Sequence, residues 1–85
     1  MRHVGRITSV RFSGGVALVW LDVGAGEPVR CIGDSGPMGR ALTAMFPECR
    51  AGAMTINPDA LVGKLVAVEI DGLDLVVEIG PAEEH

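Results

Sequence analysis

Ser35, His3, His85, Cys31 and Cys49 are the side chains of this sequence suited to nucleophilic or acid–base chemistry, and Asp71 with Asp74 is a closely spaced acid pair able to approach a cation. A serine nucleophile needs a histidine base and a carboxylate to orient it. The two histidines stand near opposite ends of the sequence, and no motif joins either to Ser35. Zinc takes about four clustered ligands and calcium about six to eight oxygens. Two separated cysteines and one short acidic stretch supply neither, so the sequence predicts no metal, no cofactor and no enzymatic activity. Cys31 falls in a strand pattern and reads as a small buried apolar group, whereas Cys49 falls in a loop and is reactive only where exposed beside Arg50. Without a secretion pattern, both are expected as free thiols.

Gly33-Asp34-Ser35-Gly36-Pro37 resembles the nucleophile segment of trypsin-like serine proteases over five residues, one glycine short of that pattern. The resemblance implies two β-barrels, which 85 residues do not hold. The same string is explained residue by residue as a helix start, with Asp34 or Ser35 as cap and Pro37 where a missing amide hydrogen costs nothing. Gly24-Ala25-Gly26 lacks the third glycine that opens a helix in a dinucleotide site.

The helix beginning there is the one segment with helical period. Met38, Ala41, Leu42 and Met45 fall on one stripe, Arg40 and Thr43 opposite, and Pro47 ends the segment after Phe46. Strand patterns surround it. Val4–Phe12 and Val16–Val23 flank the Ser13-Gly14-Gly15 turn, and Val29–Ile32 follows the turn at residues 24–28. In the second strand Ala17, Val19, Leu21 and Val23 form the core face, leaving Val16, Leu18 and Trp20 on the other. Residues 48–57 read as a connecting loop. Asn57-Pro58 then opens a single helical turn that ends at Gly63. Lys64–Asp71 and Leu73–Ile79 complete the chain as a hairpin, with Val66, Val68 and Ile70 inward on one strand and Leu75, Val77 and Ile79 aligned on the other.

The predicted order is β-β-β-α-β-β: mostly β with one helix, in a single domain over residues 1–80 followed by a flexible tail at 81–85. That is the order of the OB-fold, a small five-stranded Greek-key barrel, and an SH3-like barrel with an inserted helix is the alternative. OB-folds bind oligonucleotides on strands two and three through aromatic and basic side chains. Trp20 stands on strand two here, with Arg6, Arg11 and Arg30 on its neighbours. Leu18 and Trp20 with an arginine rim also match the centre of a protein interface.

Charge bears on the choice between these partners. The net charge is −4, but residues 1–50 carry six arginines against four acids (+2), and residues 51–85 carry Lys64 against seven acids (−6). An acidic chain with three aromatic residues is poorly matched to phosphate backbones. The expectation is a non-enzymatic binding module in the cytoplasm of a bacterium, an accessory or regulatory subunit that contacts a protein partner or a second copy of itself through Leu18, Trp20, Arg6, Arg11 and Arg30. Single-stranded nucleic-acid binding is the alternative. A third reading is a small inhibitor encoded by a phage or mobile element, using an acidic surface of Glu69, Asp71, Asp74 and Glu78. No apolar run reaches the roughly 18–20 residues of a membrane span, so no membrane association is expected.

Overall fold

A computed structural model describes residues 1–24, 26–52 and 56–82. Strand β1 (Arg2–Ser13) turns through Gly14 and Gly15, both at positive φ, into β2 (Val16–Asp22). β3 (Val29–Asp34) leads directly into helix α1 (Ser35–Met45). Short 3₁₀ turns at Pro47–Cys49 and Pro58–Leu61 precede the hairpin of β4 (Leu65–Ile70) and β5 (Val76–Pro81). The mostly-β, one-helix order of the sequence reading is what forms. Among the described residues, no helix is long and apolar enough to cross a membrane.

The five strands make one antiparallel sheet in the order β3-β2-β1-β4-β5. β1 serves two neighbours with different halves: Arg2 to Arg6 pair with β4, and Arg6 to Ser13 pair with β2. A bulge at Thr8, between the Ile7–Leu21 and Ser9–Trp20 pairs, accompanies this change of partner. Gly5 sits where β1 crowds β2, and a Cβ there would lie 2.6 Å from the Asp22 carbonyl oxygen.

The sheet is not closed into a barrel. Its outer strands meet at one isolated parallel bridge, Ile32 to Leu75, where the Ile32 N–H donates to the Asp74 carbonyl at 2.9 Å. Beyond that bridge the Met38 side chain of α1 stands against Gly33, with Val76 of β5 close by, so helix packing takes over where a ladder would continue.

Alternation sets the core. Ile7, Ala17, Val19, Leu21, Cys31, Val66, Val68 and Ile70 point inward and are buried, and Met38 and Leu42 of α1 with Leu61 of the second 3₁₀ turn close over them. Burying this apolar surface, at about 25 cal/mol per Å², is the main favourable contribution to folding.

Four local expectations change. Neither Asp34 nor Ser35 caps α1 through its side chain: Asp34 is the N-cap residue by backbone position, with no side-chain cap bond, while Pro37, the third helical residue, does fall in the first turn, where an amide hydrogen has no intrahelical acceptor. Asn57 does cap its 3₁₀ turn, accepting the Asp59 N–H at 3.1 Å. β5 begins at Val76 instead of Leu73, and its inward residues are Val76 and Ile79. Leu75 and Val77 are exposed, at 43% and 69%, because a bulge lets Glu69 face Glu78 and Ile70 face Val76, leaving Val77 unpaired. Finally, Pro81, expected in a tail at 81–85, belongs to β5, and residues 83–85 lie outside the described residues, as do Ala25 of the 24–28 turn and 53–55 of the 48–57 loop.

Candidate interaction surface

The residues suited to covalent chemistry are kept apart. His3 lies in β1 opposite Val68, while Ser35 begins α1 at the other end of the sheet, its N–H donating to the Gly15 carbonyl. Ser13, beside that turn, lies ten positions beyond His3 along β1, roughly 30 Å of extended chain. Cys31 is buried in the core, and burial, with Asp74 adding to it, pushes its thiol up to about 11. Cys49 is buried too, its thiol donating to the Ala60 carbonyl at 3.4 Å, so its loop position does not expose it beside Arg50. Both cysteines are free. His85 lies outside the described residues.

The predicted contact residues, by contrast, come together. Directly opposed residues of an antiparallel pair project from the same face. On the face of β2 turned away from the core, Leu18 stands between Arg11 of β1 and Ile32 of β3, and Trp20 stands between Ser9 and Arg30. The next row places Arg6 opposite Asp22, and the row before it places Val16 opposite Asp34. Leu18, Trp20 and Ile32 are half-buried, and Arg6, Arg11 and Arg30 are exposed. All five residues of the predicted contact site therefore share one surface.

The bridge from Ile32 to Leu75 carries this surface onto β5, where Leu75 and Val77 extend its apolar part. Ile32, Leu75 and Val77 escape sequence reasoning. Ile32 alternates with the buried Cys31, which was a usable signal, but no local pattern announces that β3 and β5 meet.

The charges on this face differ in how firmly they are held. Arg6 donates to the Gly63 carbonyl at 3.1 Å, and Asp22 accepts the Gly24 N–H at 2.9 Å. Arg30 lies 3.7 Å from Asp74 with both side chains about half exposed, a loose pair of small energetic weight. The side chains of Arg11 and Asp34 form no hydrogen bond or ion pair among the described residues.

The four acids do not form one uniform surface. Asp71 is spent on the hairpin: its Oδ1 accepts the N–H groups of Leu73 at 2.8 Å and Leu75 at 3.1 Å. Asp74, at φ 63°, turns the chain and approaches Arg30. Glu69 lies 3.4 Å from the Met1 amino group, and only Glu78, its cross-strand neighbour, stands exposed without such a contact. Arg30 lines an open cavity of about 720 Å³ together with His3, Val29, Ile70, Asp71 and Asp74. No group of three or more metal-ligating side chains is present among the described residues.

No protein-family model matches the chain, and neither a curated protein nor a solved structure matches it.

Proposed function

We propose that this chain is a non-enzymatic binding module, an OB-like sheet stopped short of closure, that holds a protein partner on the outer face of β1–β2–β3 as an accessory or regulatory subunit. The observation that carries this reading is the register: it sets Arg11–Leu18–Ile32 beside Ser9–Trp20–Arg30, an apolar centre with one tryptophan and an arginine at two of its corners. Tryptophan and arginine lead the residues that dominate protein interfaces, and a half-buried tryptophan loses little conformational freedom on binding. The OB-like part of the reading is supported by β1 serving both β2 and β4 and by the parallel approach of β3 to β5. The separation of Ser35 from His3 and the burial of both thiols support the non-enzymatic part.

Single-stranded nucleic acid is the second reading, favoured by Arg30 lying directly beside Trp20. Against it, Asp22, Asp34 and Asp74 surround the same rows, and stacking surfaces for further bases are lacking there. Trp20 is the sole tryptophan, so its fluorescence separates the two. A protein-binding face predicts emission unchanged by short oligothymidylate at low or moderate salt. Quenching at low salt that disappears as salt rises would put nucleic acid first. The acidic-inhibitor reading depends on Glu69, Asp71, Asp74 and Glu78 acting together, and three of them already have contacts within the chain.

A further inference from the structure

We infer that the occupant of this face is a second copy of the chain, packed face to face about a two-fold axis parallel to β2; the inference rests on the binding-face reading above. On the β1–β2–β3 part of this face, two charged side chains lack any partner among the described residues, Arg11 and Asp34. They have opposite sign, and they lie on the two strands flanking β2, one row apart along it. In a two-fold contact, residue i meets residue j and j meets i. An axis parallel to β2 lays β1 of each copy over β3 of the other, so Arg11 of each comes over Ile32, one row, about 7 Å, from Asp34 on one side and from Arg30 on the other. Arg30 already lies 3.7 Å from Asp74, which leaves Asp34 as the unpaired charge for Arg11. An extended arginine spans that distance between sheets packed about 10 Å apart. The same operation sets Leu18 on Leu18 and Trp20 on Trp20, and the apolar centre closes with two reciprocal ion pairs beside it.

The size of the face limits this contact. Strands β1, β2, β3 and β5 at about 4.8 Å spacing, over about six residues of 3.3 Å, present roughly 380 Å² per copy. A standard stable interface takes about 800 Å² per partner, so the dimer is weak and depends on concentration.

Sedimentation velocity over a concentration series tests this, with far-UV circular dichroism to show that each variant is folded. Asp34 makes no side-chain cap bond and the Arg11 side chain has no hydrogen bond or ion pair among the described residues, so reversing either leaves the fold intact. The wild-type chain dimerises as concentration rises. Arg11→Asp and Asp34→Arg each weaken dimerisation about tenfold or more, because like charges then meet. An equimolar mixture of the two variants forms a mixed dimer, since each of the two reciprocal 11–34 pairs again joins opposite signs, and the double variant Arg11→Asp/Asp34→Arg dimerises as the wild type does. A wild-type chain that stays monomeric throughout, or a mixture no more associated than its components, overturns the inference. The binding-face reading fails separately, on salt-sensitive quenching of Trp20 by oligothymidylate.

Discussion

Gly5 and Gly33 are both crowded, yet their surroundings differ in a way that sorts them. A methyl group on Gly5 meets the Asp22 carbonyl at 2.6 Å, backbone within the β1–β2 ladder, whereas one on Gly33 meets the Met38 side chain at 2.8 Å. Backbone in a ladder has little room to move, and a methionine re-packs. Gly5→Ala is therefore expected to lower the unfolding free energy by about 1–3 kcal/mol and Gly33→Ala by less, as read from urea midpoints at constant slope. Cys31 gives a pH prediction. Its thiol is raised from 9.0 to about 11 in the folded chain, so its contribution is fully present below pH 9 and is lost as pH rises from about 9 to about 11, where the unfolded chain ionises first. Stability should fall across that window, and Cys31→Ser or Cys31→Ala should flatten the fall. In the native chain at pH 8, neither buried thiol is expected to react with a disulfide reagent until the protein unfolds.

At the scale of elements, α1 joins the two ends of the open sheet, packing on β2, β3 and β5 through Met38 and Leu42. Leu42→Ala leaves a cavity at that junction and is expected to cost about 2–5 kcal/mol, measured by thermal or urea unfolding. The Met38–Leu42 stripe was legible in the sequence because a 3.6-residue period is a local property, and so was the inward row Val66–Val68–Ile70, which alternates without interruption. β5 was not. Its bulge at Val77 reverses the alternation on which any strand reading depends, and bulges are set by the partner strand, here Glu69 and Ile70 of β4. The expected barrel misled for a related reason: closure depends on whether β3 and β5 run on together, and the Met38–Gly33 contact that replaces their ladder involves residues remote from β5 in sequence.

On the scale of the whole molecule, the sheet turns one face to its core and leaves the other with Leu18, Trp20, Ile32 and Leu75 in a band bordered by both signs of charge. Leu18 and Trp20 of this band were named from sequence, because they alternate with core residues of β2; Ile32 and the assembly with β5 were not. A contact surface of this kind tolerates salt, since its centre is apolar, and Leu18→Asp should abolish binding while leaving the thermal transition of the free chain within a few degrees of the wild type. The most direct measurement replaces Trp20 with a photoreactive benzoylphenylalanine and irradiates the protein in its native cells, with the same replacement at exposed Val62, beyond the band, as control. The account predicts a covalent protein adduct from position 20 and none from position 62, its mass twice that of the chain where the partner is a second copy. Adducts to nucleic acid alone, or equal labelling from both positions, would contradict it.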